Sequence, residues 1–75
     1  MNLIKGLTYN QLRDLLLGKK VHFVSDCEFF PNFNVYGKVI SMSMNGTEVI
    51  FRFRTNTNRI IQIGSNMLNL RYELI

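Results

Sequence analysis

Two side chains near the start of the chain are of the kinds used for nucleophilic chemistry. Cys27 and His22 are its single cysteine and single histidine. A catalytic thiol needs a base within reach and positive surroundings that favour the thiolate. Asp26 and Glu28 flank Cys27 and oppose ionisation. Strand alternation puts His22 on an outer face beside Lys20 and Val24. The expectation is an inert thiol and a surface imidazole. Asp26, Cys27, Glu28 and His22 also carry metal-ligating atoms, but their spacing matches no ligand pattern. One Cys with one His is too few for a structural zinc site. The chain has no glycine-rich phosphate loop, no Ser-His-Asp set and no paired acid–base carboxylates. It reads as a protein that is not an enzyme, with no cofactor, no metal and no small-molecule substrate.

The basic residues suggest different chemistry. Nine Lys and Arg against five Asp and Glu give a formal charge of +4, enough on a small domain to attract anionic partners, nucleic acid being the commonest. Arg52 and Arg54 alternate along one strand-like run and so project from one face. The planar guanidinium fork donates two parallel hydrogen bonds to a phosphate. Arg52, Arg54, Lys38 and Arg59 are the candidate nucleic-acid contacts, with Asn56 and Asn58 as neutral donors nearby. Of the basic residues, Lys19, Lys20, Lys38, Arg59 and Arg71 cannot be placed on the Arg52/Arg54 side from sequence. The plain alternative is a solvated face on which Arg stems cover Val39 and Ile50. A second candidate surface is the stretch 26–34, Asp-Cys-Glu-Phe-Phe-Pro-Asn-Phe-Asn. Phe29, Phe30 and Phe33 either fold back onto the core or stay exposed as anchors for a protein partner or a base.

These residues must be held by short elements. Thr8 and Gln11 have capping-box spacing, and Leu7 with Leu12 has that of a hydrophobic staple. Leu12, Leu15 and Leu16, with Tyr9 one turn earlier, make an apolar stripe. Gly18 suits the end of a helix over 8–17. Strands are expected over 20–25, 35–44, 47–55, 59–63 and 70–75, with Val21 and Phe23 sharing one face and Leu70, Tyr72 and Leu74 another. Residues 26–34 and 55–58 read as loops, and 67–69 as a single helical turn. Asn45-Gly46 is the strongest turn signal, because both types tolerate positive φ. A two-residue turn there pairs Met44 with Thr47, Met42 with Val49, Ile40 with Phe51 and Lys38 with Phe53. The other face then pairs Ser41 with Ile50, Val39 with Arg52 and Gly37 with Arg54. That register puts Ile40, Met42, Val49, Phe51 and Phe53 in the core, with Arg52 and Arg54 outside.

Seventy-five residues make one domain, near the lower size limit for an unstapled core. A lone cysteine fits a reducing compartment. The first residues carry no secretion signal and no run approaches a membrane span. The expectation is a cytoplasmic protein with no membrane partner, whose oligomeric state the sequence leaves open.

The succession of five short strands, a long loop after the first, tight turns between the middle three and one helical turn before the last resembles the Src-homology-3-like barrel, including the KOW-type barrels of ribosomal and transcription proteins. The resemblance covers residues 19–75 and rests on topology, with Gly37-Lys38-Val39-Ile40 opening the second strand as its nearest motif. It implies a mainly β, five-stranded barrel preceded by a short N-terminal α-helix. The rival oligonucleotide-binding barrel places a helix between its third and fourth strands, where this chain has only 55–58. The acid-then-aromatic stretch 26–34 also resembles the ligand loop of Src-homology-3 domains. The chain lacks that family's groove Trp and paired Tyr residues, so polyproline binding is not carried over. The leading functional expectation is a small binding module that associates with nucleic-acid phosphates. The competing one is a protein-interaction module, a regulator or inhibitor from a phage or other mobile element, acting through the Phe29, Phe30 and Phe33 loop.

Overall fold

Thr8 and Gln11 start the helix as their spacing implies. In the computed structural model, which describes residues 1–26 and 33–75, the Gln11 N–H donates to Thr8 Oγ1 at 3.2 Å and the Thr8 N–H donates to Gln11 Oε1 at 2.9 Å. Two otherwise orphaned amides are thereby satisfied. Helix α1 runs Tyr9–Leu16 and buries Leu12 and Leu16 completely. Leu15, expected in the same stripe, lies further round the helix and is exposed. Leu17 (φ −62°, ψ 127°) and Gly18 (φ +75°) then form a type II turn, closed by the Lys19 N–H donating to the Leu16 carbonyl at 3.0 Å. The second central position of that turn needs positive φ, which glycine supplies without strain.

Among the described residues every other regular element is a strand: β1 Asn2–Leu3, β2 Lys20–Ser25, β3 Phe33–Asn45, β4 Glu48–Thr55, β5 Ile60–Gly64 and β6 Arg71–Leu74. The order is β1-β6-β2-β3-β4-β5, antiparallel throughout. The fold is therefore mainly β, with six strands in an open sheet rather than the expected five. The extra one, β1, is two residues long and pairs with β6. Residues 64–70 form two consecutive turns instead of a helical turn at 67–69, the Met67 N–H donating to the Gly64 carbonyl and the Leu70 N–H to the Met67 carbonyl. Strand β3 begins at Phe33, not at residue 35, because Phe33 and Asn34 pair with Ser25 and Val24. Residues 27–32 lie outside the described part, and with them the expectations for Cys27, Glu28, Phe29 and Phe30. Among the described residues no helix is long and apolar enough to cross a membrane.

The β3–β4 hairpin corrects the expected register twice. Its turn residues are Gly46 and Thr47, flanked by the pair Asn45↔Glu48. Gly46 has φ +62°, whereas Asn45 and Thr47 keep negative φ. This is the II′ pattern, with glycine at the first central position. Moving the turn by one residue moves every pair by two, so the two faces keep their phase: Met42 opposes Phe51 and Met44 opposes Val49. The second correction is a bulge between Val39 and Ser41. One extra residue inverts the phase of the strand beyond it. Val39, expected outside, is fully buried opposite Phe53, while Ile40, expected in the core, is the half-buried bulge residue. Lysine explains why the bulge is needed. Without it Lys38 would share the core face with Phe53, at a large desolvation cost.

The inner face collects Val21, Phe23, Val39, Val49, Phe51, Phe53, Ile63, Leu70 and Tyr72, and Ile4, Leu12 and Leu16 cover it. Phe23 packs against Phe51 and Phe53 at centroid distances of 5.4 and 5.3 Å. Met42 and Phe33 are half-buried against this core. Leu74, expected beside Tyr72, is exposed at the sheet margin. Gly37 sits on the inner face opposite Val21 and Thr55, not opposite Arg54 on the outer one. A side chain there would run into the Arg54 carbonyl and the Phe53 ring, so only glycine fits.

Candidate nucleic-acid interface

Strand pairing sets the outer face. Lys20 pairs with Lys38, and Lys38 pairs with Arg54. The directly opposed side chains of an antiparallel ladder point to the same side, about 5 Å apart. Three cations on three adjacent strands therefore form one row across β2, β3 and β4. Arg52 lies two residues from Arg54 on the same face, between Ser41 and Gln62. All four side chains are exposed. Arg59, the remaining candidate, is exposed in the β4–β5 turn, where the Thr55 N–H donates to its carbonyl at 2.8 Å.

The row is not neutralised locally. Among the described residues the close acid–base contacts are His22 with Glu73 and Arg71 with Asp26, and neither involves Lys20, Lys38, Arg52, Arg54 or Arg59. Glu48 accepts from the Asn66 N–H at 3.0 Å at the far end of the hairpin. Arg71 is withdrawn from the basic set by its 2.7 Å bond to Asp26. Like charges directly opposed across a ladder destabilise a sheet. Lys38 thus has a like charge on each side that an anion would relieve, while Glu73, the outer-face carboxylate opposite His22, is engaged by the imidazole.

The corrected register is what assembles the row. In the expected register Arg54 faced Gly37 and Arg52 faced Val39, which left two isolated arginines. In the observed one Arg54 faces Lys38, and the β2–β3 pairing adds Lys20. Lys20 could not be placed from sequence, because the signal lies in which strands become neighbours.

His22 departs from expectation. It does lie on the outer face, but it is only 7% exposed. The Tyr36 ring stacks on the imidazole at a centroid distance of 4.0 Å, with the planes 6° apart. His22 Nδ1 lies 2.8 Å from a Glu73 carboxylate oxygen, and the Asn34 side-chain amide meets Nε2. A carboxylate only accepts, so Nδ1 carries the proton of that bond. Both ring nitrogens and one ring face are thereby occupied, and the ring is fixed in place. Among the described residues, no three His, Cys, Asp or Glu side chains are grouped to hold a metal ion.

Of the aromatic candidates, Phe33 is half-buried against the core. Phe29 and Phe30 fall outside the described residues. Tyr36, not singled out by the sequence, is 46% exposed and lies two residues from Lys38 on the same strand. No protein-family model, no curated protein and no solved structure matches the chain. The class defined by fold and site is a small, mainly β protein with a basic, carboxylate-poor row on one sheet face.

Proposed function

We propose that this protein is a non-catalytic binding module of the cytoplasm whose outer sheet face takes up the phosphate backbone of nucleic acid. The observation that carries the reading is the cross-strand row Lys20, Lys38 and Arg54, with Arg52 beside it and no carboxylate paired to any of them among the described residues. Lysine and arginine contacts to phosphate position a nucleic acid without reading its sequence, so binding is expected to be sequence-tolerant and strongly salt-dependent. The tight β3–β4 and β4–β5 turns, and the return of β6 to pair with β2, support reading the sheet as a Src-homology-3-like barrel with the helix docked at one end.

The test is equilibrium binding of labelled single- and double-stranded DNA and RNA by fluorescence anisotropy at low and moderate salt. Binding at about 50 mM salt that weakens steeply by about 200 mM is expected, as is a large loss in the double variant Arg52→Ala with Arg54→Ala. An absence of binding at low salt, or binding indifferent to the double substitution, refutes the reading.

A further inference from the structure

We propose that the partner is single-stranded nucleic acid, and that one unpaired base stacks on Tyr36. This rests on the phosphate-binding reading above and makes it specific. Tyr36 stands on the outer face in the same strand as Lys38, two residues away and hence about 6.7 Å along the sheet. One side of its ring is covered by His22, which Glu73 and Asn34 hold in place. The ring is therefore already immobilised, and a base arriving on it loses little further freedom in the protein.

Tyr36 is nonetheless 46% exposed, and with Asn34, Val35, Thr55, Asn56 and Thr57 it lines a shallow groove of about 270 Å³. The groove is smaller than the roughly 300–1,000 Å³ of a typical small-molecule site, which suits a flat ring better than a larger ligand. The Asn56 N–H donates to the Tyr36 carbonyl at 2.9 Å and ties the β4–β5 turn against this strand. Asn56 and Thr57 thus stand at the rim, where amide and hydroxyl groups can meet a base edge. A duplex hides its base faces within its own stack, whereas a single strand offers them to an aromatic platform while its phosphates follow a basic track. Tyr36 and the row of Lys20, Lys38 and Arg54 supply these two parts side by side.

The experiment compares a labelled oligodeoxythymidine, its oligouridine counterpart, a duplex of equal length and an abasic strand with the same phosphates. Tyr36→Leu keeps an apolar cover over His22 and removes the π-face, while Tyr36→Phe keeps both. Thermal unfolding checks that each variant is folded. The expected results are preference for the single strands over the duplex and the abasic strand, a roughly 5- to 150-fold loss in Tyr36→Leu, and near-parental affinity in Tyr36→Phe. The chain has three tyrosines and no tryptophan, and Tyr72 is 6% exposed. Base stacking should therefore quench a tyrosine signal that Tyr36→Leu lacks. Equal affinity for abasic and base-bearing strands, duplex binding as tight as single-strand binding, or an unaffected folded Tyr36→Leu overturns the inference and leaves phosphate binding standing. A lack of binding to every probe overturns both.

Discussion

Lys38 sits between Lys20 and Arg54, with a cation directly opposite on each side, so reversing its charge should raise stability and weaken binding together. Two unit charges about 6 Å apart in water interact by about 0.7 kcal/mol. At physiological salt, with a screening length of about 8 Å, this falls to about 0.3 kcal/mol. Lys38→Glu turns two such repulsions into attractions, for a gain of about 1 kcal/mol, within the range measured for cross-strand charge pairs. Lys and Glu are similarly disfavoured in strands, so intrinsic propensity should not mask the effect. For a domain of this size the midpoint of thermal unfolding should rise by about 4–8 °C. Added salt should stabilise the parent and narrow the difference. Binding should move the other way. With Lys20, Lys38, Arg52 and Arg54 all engaged, a single strand should lose about 50-fold in affinity for a fourfold rise in salt. Removing one cation and adding one anion leaves an effective two contacts, and the same rise should then cost about 7-fold. Calorimetric or circular-dichroism melting across a salt series, with anisotropy titrations on the same samples, measures both. A variant that melts lower than the parent, or binds with an unchanged salt slope, refutes the argument that these three side chains share one row.

Other expectations follow from single contacts. Gly46→Ala should destabilise by about 1 kcal/mol because its φ is +62°, while Asn45→Ala should be nearly neutral; chemical denaturation of both tells the II′ turn from one centred on Asn45-Gly46. Gly37→Ala should cost at least about 2 kcal/mol, because the added carbon meets a backbone carbonyl and an aromatic ring that cannot both move, as read from the denaturation midpoint. Thr8→Ala removes the acceptor for the Gln11 amide and should cost about 1 kcal/mol, with faster amide exchange in the first turn of α1. Phe51→Ala, fully buried against Phe23, should cost about 3–5 kcal/mol. On a domain this small that should leave most of the chain unfolded at 37 °C.

Much of the fold could be read residue by residue. Thr8 and Gln11 state their cap because both partners lie within one turn. The alternation Val49, Phe51, Phe53 against Arg52 and Arg54 states the two faces of β4 because side-chain direction has period two. Arg52 and Arg54 accordingly stand outside, and Val49, Phe51 and Phe53 inside. The misses share a cause. Asn45-Gly46 and Gly46-Thr47 are both acceptable hairpin turns, and only the ladder chooses between them. Ile40 and Val39 are both apolar, so nothing local shows that Val39 goes inside and Ile40 takes the bulge. His22 alternates outward as expected, yet is buried because Tyr36, directly opposite it on β3, lies over it.

The sequence by itself determined the helix and its cap, the strand-rich character, the phase of β4 and the identity of most core residues. These depend on backbone geometry and hydrophobic period within a few residues. Tertiary structure alone decided the turn, the bulge, the burial of His22 and the alignment of Lys20, Lys38 and Arg54 across three strands. Each of these depends on which hydrogen-bond register the ladders adopt. Register is a property of paired strands: one inserted residue exchanges the faces and leaves every local propensity unchanged.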